Sequence, residues 1–168
     1  MVKRNDDLYL FMNSCFVISK DRGATFGNYT DLCNNEKVDS GELIGNDVTV
    51  RTITPIVLKE DKDNRIAVFY SVEKRTEDVG YSAIRVRYID ENNNVSEDYE
   101  TVIEYNNIGP YEKNGENASA PMGGLWEPFP YYIGNDLYIY YCDSAIYSDA
   151  AKQSVNYIKF KDVINNNV

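Results

Sequence analysis

Short apolar runs separated by polar turns recur along the chain. Three of these runs begin with a charged residue, continue through aliphatic and aromatic residues and end in small polar ones: Asp7–Ser14, Arg65–Ser71 and Asp136–Asp143. A further strand-like segment follows each run, at Cys15–Ser19, Ser82–Tyr88 and Ser154–Phe160. Such runs, bounded by Asn, Asp, Gly and Ser, predict β-strands, and no segment shows sustained helical periodicity. The pattern therefore predicts an all-β fold.

The strand pattern repeats at about seventy residues, which is the mark of a repeat architecture. Asp21 and Asp90 are separated by 69 positions, Asp90 and Asp162 by 72, and Pro55 and Pro128 by 73. In the second unit, four strands are expected at 51–58, 65–71, 82–88 and 101–105. Repeated four-stranded antiparallel units are typical of the blades of a β-propeller. We therefore expect three units in one domain, at about 1–47, 48–108 and 120–168.

The first and third units are expected to be incomplete. Only six residues precede Asp7, so the first unit is expected to lack its innermost strand. The third is expected to begin at Leu125 and to end after its third strand, near Asp162. The chain would then hold two and a half to three blades, fewer than the roughly four to eight that close a ring. This favours a fragment or a truncated product over a ring completed by other copies, although the open blade edges would invite aggregation or oligomerisation.

Composition limits the classes of partner and chemistry. The net charge of −10 and the absence of a basic cluster argue against binding to nucleic acid and anionic membranes. No apolar stretch has the length of a membrane span. The sequence contains no histidine, which excludes Ser-His and Cys-His catalytic pairs and His-ligated metals. Cys15, Cys33 and Cys142 show no metal-ligand spacing; Cys15 and Cys33 could pair, although isolated thiols are favoured. No metal or cofactor is expected.

The segment Ser19–Phe26 reads S-x-D-x-G-x-T-F. Asp21 is expected to cap a tight turn by accepting hydrogen bonds from backbone N–H groups, and Gly23 to supply a left-handed conformation. Phe26 is expected to fold back and anchor the turn on the neighbouring strand. In the second unit the alignment places Asp90 under Asp21, Asn92 under Gly23 and Val95 under Phe26. The segment resembles the Asp-box of sialidase-like β-propellers, although a generic Asp–Gly turn has a similar pattern.

A candidate for sugar chemistry lies in the third unit, where Trp126 and Glu127 follow Gly123 and Gly124. The face of an indole can stack on the C–H surface of a sugar while a carboxylate acts at the anomeric carbon. The second unit is expected to carry Thr54 at the position equivalent to Glu127, so the scaffold does not require the acid. The alternative is a surface Glu beside a structural Trp.

Together, the Asp-box, the strand 54–58, the segment 125–129 and the strand 136–143 resemble the exo-arabinanases of glycoside hydrolase family 93, within the sialidase-like superfamily. The resemblance covers about residues 7–162. It implies a secreted six-bladed β-propeller that hydrolyses arabinan with retention, through two carboxylates about 5–5.5 Å apart. Glu127 would take one of these roles, with nucleophile favoured, and the second carboxylate is expected beyond Val168. This chain alone is therefore expected not to turn over substrate.

The resemblance also suggests substrate contacts and has departures. Trp126, Tyr141 and Asp143 would border the sugar, and Arg51 could face the channel. Cys142 replaces a small Ser, and Ser144 follows it where the family usually carries Glu. A carbohydrate is the expected partner, and an extracellular location is expected although residues 1–7 do not form a signal peptide. The rival readings are a non-catalytic carbohydrate-binding or protein-interaction propeller, and a sialidase, which would need an arginine cluster.

Overall fold

A computed structural model describes residues 1–12, 14–33, 48–75, 80–108, 124–144 and 154–160. These residues form strands, turns and loops with no helix, which confirms the all-β prediction. Sheet 1 contains β1 (Val2–Arg4), β2 (Asp7–Met12), β3 (Cys15–Ser19) and β4 (Thr30–Asp31). Sheet 2 contains β5 (Val48–Val57), β6 (Ile66–Arg75), β7 (Gly80–Ile89) and β8 (Glu100–Ile108). Sheet 3 contains β9 (Leu125–Ile133), β10 (Asp136–Asp143) and β11 (Ser154–Phe160).

Each sheet is an antiparallel meander in which consecutive strands are neighbours. The four strands expected in the second unit are confirmed, each somewhat longer than the sequence indicated. The expectation that the first unit lacks a strand before Asp7 is wrong, because β1 pairs with the start of β2, with Arg4 opposite Asp7. Three residues suffice for this strand because a tight turn at Asn5, which has a φ of 54°, returns the chain at once. The third repeat of the Asp-box, at Asp162, lies outside the described residues.

Sheet 2 lies between the other two sheets, and the alternation of β6 explains how. Side chains of successive strand residues point to opposite faces. The even-numbered residues from Ile66 to Val72 enter a core cluster with Tyr9 and Phe16 of sheet 1. Ala67 and Phe69 enter a second cluster with residues of sheet 3. Every residue of β7 is buried, because both of its faces are covered.

The first strands of the three sheets lie side by side, since β5 contacts both β1 and β9. A small cluster of Ile84, Leu125 and Tyr141 closes the core between sheets 2 and 3 near the start of β9. The candidate site described below therefore lies where two first strands, β5 and β9, meet.

The turn after β3 is held by a network of side chains. Asp21 Oδ1 accepts hydrogen bonds from the hydroxyl of Ser19 and the backbone N–H of Thr25, both at 2.8 Å. Gly23 has a φ of 94°, and its N–H donates to Ser19 Oγ at 2.7 Å. The hydrogen bonds from Thr25, followed by that from Ser19, lower the pKa of Asp21 to about 2. Phe26 remains 43% exposed and belongs to none of the described core clusters, so this network, rather than the aromatic anchor that we expected, holds the turn.

Asp90 caps the turn after β7 in the same way. Its Oδ1 accepts from the backbone N–H groups of Asn92 and Asn94 at 2.9 and 2.8 Å. The positive φ falls on Asn93, at 69°, so Asn92 does not take the left-handed conformation that its alignment with Gly23 predicted. The hydrogen bonds from Asn94 are the largest cause that lowers the pKa of the Asp90 carboxyl. The common element of the two turns is thus an Asp that accepts from the residue four positions later.

A third turn of this kind, which the sequence analysis missed, joins β5 to β6. Asp61 Oδ2 accepts from the backbone N–H of Arg65 at 2.8 Å, and the guanidinium of Arg65 donates to both carboxylate oxygens. Asn64 supplies the positive φ, at 48°. The repeated i, i+4 spacing of the capping bond is the signal that would have identified this turn.

Arg4 joins sheet 1 to the turn that Asp90 caps. The side chain is buried, and Nη1 donates to the carbonyl oxygens of Ile89 and Asp90 at 3.0 and 2.6 Å. Nη2 donates to Asn93 Oδ1 at 2.7 Å, and the hydroxyl of Tyr9 donates to the same oxygen at 2.6 Å. The backbone carbonyls of one sheet are therefore satisfied by a side chain of the preceding sheet.

Candidate functional site

Glu127 lies at a β-bulge in β9. In the pairing with β10, Trp126 is opposite Cys142 and Phe129 is opposite Tyr140, so two residues of β9 face one of β10. Glu127 has a φ of 52°, in the left-handed region that non-glycine residues seldom occupy. Its side chain is exposed. A bulge redirects the side chain at the extra position, and here it presents a carboxylate to solvent.

The same bulge occurs in β5. Arg51 pairs with Ser71 and Thr54 pairs with Phe69, and Thr52 between them has a φ of 46°. Thr52, and not Thr54, is therefore equivalent to Glu127. The sequence alignment placed Thr54 there because it matched Pro55 with Pro128, whereas superposition of the two bulges brings Pro55 into register with Pro130.

Trp126 is fixed by its surroundings. Its indole Nε1 donates to Ser144 Oγ at 3.0 Å, and the same hydroxyl oxygen accepts from the N–H of Gly124 at 3.1 Å. A Cβ atom at Gly124 would lie 3.0 Å from the indole ring and 2.8 Å from Glu73 Oε1. The absence of a side chain at position 124 thus allows the ring and the Glu73 carboxylate to approach the backbone closely.

Arg51 bridges Trp126 and Glu73. Its Nε lies 3.5 Å from Glu73 Oε2, and its guanidinium carbon lies 5.6 Å from the centroid of the indole ring. These contacts place the cation over the aromatic face. The Arg51 side chain is 50% exposed and that of Glu73 is 4% exposed, so the ion pair joins a solvent-exposed cation to a buried carboxylate. The positive charge at the site is therefore matched by a buried carboxylate.

Sequence reasoning missed Glu73 and gave Ser144 no role beyond a departure from the family pattern. Glu73 follows the apolar residues 66–72 on β6 and lies on the strand face that is turned toward sheet 3. A charged residue in register with buried apolar positions is a signal that such a group has a partner. Its partner Arg51 is on the neighbouring strand.

Tyr141 and Asp143 lie on the buried side of β10, at 7% and 2% exposure. Tyr105 donates a hydrogen bond to Asp143 Oδ2 at 2.9 Å. Burial and then this hydrogen bond raise the pKa of Tyr105 to about 12, and burial also raises the pKa of Tyr141. The structure thus brings Arg51 to Trp126, exposes Glu127 on the next residue of β9, and places Tyr141 and Asp143 in the core between sheets 2 and 3.

Cys142 approaches Glu127 from the neighbouring strand. Its thiol donates to Glu127 Oε2 across 3.9 Å, and burial, followed by the negative charge of Glu127, raises the pKa of the thiol. None of the three cysteines forms a disulfide bond. The thiol at position 142 is therefore kept protonated and acts as a weak donor to the carboxylate.

The arrangement combines a half-buried indole ring, over which a cation is held, with an exposed carboxylate on the next residue of the strand. Among the described residues, no group of His, Cys, Asp and Glu has the arrangement of a metal site. The same residues contain no helix long and apolar enough to cross a membrane. In comparisons with protein-family models, curated proteins and solved structures, no match to this chain was found.

Proposed function

We propose that this chain is part of a sialidase-like β-propeller from a secreted, exo-acting glycoside hydrolase of the arabinanase type. Glu127 is assigned as one of two catalytic carboxylates, and Trp126 as the surface on which the sugar stacks. The observation that carries this proposal is the exposed carboxylate at the β-bulge of β9, on the residue that follows Trp126, whose ring contacts Ser144 and Arg51.

The arrangement of the sheets supports the propeller. Three antiparallel meanders pack in chain order, and their first strands are adjacent. Turns capped by Asp21 and Asp90 follow the third strands of sheets 1 and 2. In a propeller the first strand of each blade lines the central channel, so β5 and β9 would present their bulges there.

The contrast between Glu127 and Thr52 supports the catalytic assignment. Both occupy the extra position of the same bulge, but only one is acidic. Because the bulge forms with either residue, the fold does not require a carboxylate at this position. The presence of Glu127 there is therefore consistent with a chemical role. A left-handed non-glycine residue costs about 1–3 kcal/mol, and such strain concentrates at functional sites.

In the proposed reaction, a carboxylate oxygen of Glu127 attacks the anomeric carbon as the bond to the leaving oxygen breaks. A second carboxylic acid protonates that oxygen, and afterwards, as a base, it activates the water that releases the sugar. We assign this second acid to a residue outside these 168. Arg51, held by Glu73, steadies the indole against which the sugar rests.

A carbohydrate-binding module without hydrolysis is the second candidate. The burial of Tyr141 and Asp143 favours it, because two of the substrate contacts implied by the family resemblance then lie in the core. Stacking on Trp126 alone would suffice for binding but would not break a glycosidic bond.

Binding is tested by titrating the chain with arabino-oligosaccharides and following the fluorescence of Trp126, the single tryptophan of the sequence. We expect saturable quenching, and loss of binding by calorimetry in Trp126→Ala. Tyr29→Ala, which removes an exposed aromatic ring outside sheet 3, is the matched control. If the chain binds no arabino-oligosaccharide, the assignment of arabinan as the substrate is refuted. Selective binding of sialylated sugars would support the sialidase alternative instead.

Catalysis is tested in the longest product of the gene by release of arabinose from arabinan. We expect Glu127→Gln to lower turnover by roughly three orders of magnitude or more. Glu60→Gln is the control, because Glu60 is also exposed and has a φ of 57°. Equal turnover of the two variants would remove Glu127 from the active site. Binding without turnover in the wild type would support the binding module.

A further inference from the structure

The outer face of sheet 3, which is the side turned away from sheet 2, is apolar and exposed. Its side chains alternate with those that enter the core. Its apolar members on the three strands are Phe129, Tyr131, Ile133, Tyr138, Tyr140, Val155 and Tyr157. Of these, the three on β9 and the two on β11 are each more than half exposed.

This face differs from an ordinary solvent-facing sheet. An antiparallel sheet with one wet side shows alternation of apolar and polar residues. In β10, Leu137 and Ile139 enter the core with sheet 2 while Tyr138 and Tyr140 stand on the outer side. Tyr157 packs against both tyrosines, with centroids 5.9 and 5.8 Å apart. A sheet with apolar side chains on both sides, as sheet 2 has along β6, is normally covered on both.

The charges of the outer face nearly cancel, although the chain carries a net charge of −10. Lys159 Nζ and Asp136 Oδ2 form an ion pair at 2.6 Å, which leaves Glu127 at the border as the remaining described charge. Two copies that meet through this face therefore escape most of the like-charge repulsion that opposes contact elsewhere. This favours a second copy of the chain as the occupant.

The size and chemistry of the face fit the same occupant. With about 150–250 Å² available per aromatic side chain, the exposed parts of these seven residues supply roughly 600–800 Å². A stable interface needs about 800 Å² from each partner. Tyrosines are enriched at protein–protein contacts, and the aliphatic Ile133 and Val155 suit a protein surface better than a sugar. An exposed apolar patch of this size marks an interaction surface.

We propose that the outer face of sheet 3, which a following blade would cover in the closed ring of the proposed function, is in this chain by itself the contact surface of a two-fold symmetric homodimer. The third sheets of the two copies pack face to face, about 10 Å apart, as in a β-sandwich. Each copy contributes the same patch, so the contact is closed and stops at two copies. The dimer is formed by the faces of the sheets and not by pairing of their open edges.

The test is sedimentation equilibrium of the full chain, without sugar, from about 1 to 100 μM. We expect a discrete species of twice the 19.3 kDa chain mass. Tyr157→Arg and Val155→Arg should each raise the dissociation constant at least about 30-fold, because the charge is buried twice in the dimer. Tyr29→Arg is the control, since Tyr29 is 74% exposed against 64% for Tyr157 and lies outside sheet 3.

The proposal is overturned if the wild-type chain stays monomeric, or if its mass keeps rising past two copies. It is also overturned if Tyr157→Arg and Tyr29→Arg change the dissociation constant equally. A shift of the Tyr157 NMR resonances when oligosaccharide is added to a monomeric chain would likewise overturn it. Two outer-face variants are included so that the test remains valid if one of them does not fold. Circular dichroism identifies the variant that keeps its strand signal, and the dissociation constant of that variant is compared with the wild type. The measurement involves no substrate, so its failure leaves the tests of Trp126 and Glu127 intact.

Discussion

Glu127 on β9 and Thr52 on β5 occupy the same position in neighbouring sheets, each as the left-handed residue of a β-bulge, with φ of 52° and 46°. The bulge is thus a property of the repeated scaffold, and the identity of its extra residue is what differs between the sheets. For a threonine this conformation is costly, because a branched Cβ fits the left-handed region poorly.

We expect Thr52→Gly to raise the free energy of unfolding by about 1 kcal/mol, because it removes the strain of the left-handed threonine and loses only part of that gain to backbone entropy. Thr54→Gly, two residues later on the same strand, should lower it by about 0.5–1 kcal/mol. Urea unfolding measures both. Destabilisation of similar size at the two positions would contradict the strain that the φ angle indicates.

The Asp21 turn predicts a specific pH dependence. Because the pKa of Asp21 falls from 3.8 to about 2 on folding, its stabilising effect is complete above about pH 4 and is lost as the pH falls toward 2. Asp21→Asn should therefore lower the unfolding midpoint at pH 6 and approach the wild type near pH 2. The comparison is made by thermal unfolding, and carbon NMR of the Asp21 carboxyl gives its pKa directly.

Asp6→Asn is the control for this effect, since it neutralises an exposed carboxylate in the turn between β1 and β2. It should shift the midpoint little at either pH. If the difference between the wild type and Asp21→Asn stays constant from pH 6 to pH 2, the ionised carboxylate is not what stabilises the turn.

Arg4→Lys should lower the free energy of unfolding by about 2–3 kcal/mol. A lysine ammonium cannot donate at the same time to the backbone carbonyls of Ile89 and Asp90 and to the side-chain oxygen of Asn93. A buried carbonyl oxygen therefore loses its donor. Arg22→Lys, at an exposed position, should change it by less than about 0.5 kcal/mol. Hydrogen exchange at the backbone N–H of Asn93 should accelerate in Arg4→Lys and not in Arg22→Lys. Equal exchange rates in the two variants would refute the inter-sheet role of Arg4.

Gly124→Ala should disturb the candidate site directly, because the new methyl group meets Glu73 and the Trp126 ring at 3.0 Å or less. We expect a shift in the tryptophan emission and loss of several-fold in sugar affinity. Gly134→Ala is a useful contrast: its φ of 64° adds strain but no atom lies within 4 Å. It should lower stability by about 1 kcal/mol and leave the emission unchanged. Identical spectra for the two variants would show that Gly124 does not set the position of the ring.

Strand existence was readable from the sequence, and the reasons are local. The apolar run from Ile66 to Val72 and the polar turns around it predict β6 without knowledge of its neighbours. The Asp-capped turn at Asp21 was equally readable, since its hydrogen bonds span four residues. Trp126 and Glu127 could be assigned to one candidate site because they are neighbours in the sequence.

The features that were missed depend on non-local register. An alignment of prolines matched Pro55 with Pro128, and only the pairing of β5 with β6 and of β9 with β10 shows that Thr52, and not Thr54, corresponds to Glu127. Glu73 became part of the site through Arg51 on the paired strand and Gly124, which directly precedes β9. Val2–Arg4 was overlooked because three residues carry too little periodicity to identify a strand.

The complete burial of β7 has a consequence for how the molecule unfolds. Because each flank of this strand is shielded by a different neighbour, removal of either outer sheet would expose buried side chains of β7, which include Ile84, Arg85 and Val86. Denaturation should therefore proceed in a single step rather than layer by layer. The amides at the centre of β7 would then report the global unfolding equilibrium, and shortened versions of the chain that omit one layer would collapse or aggregate.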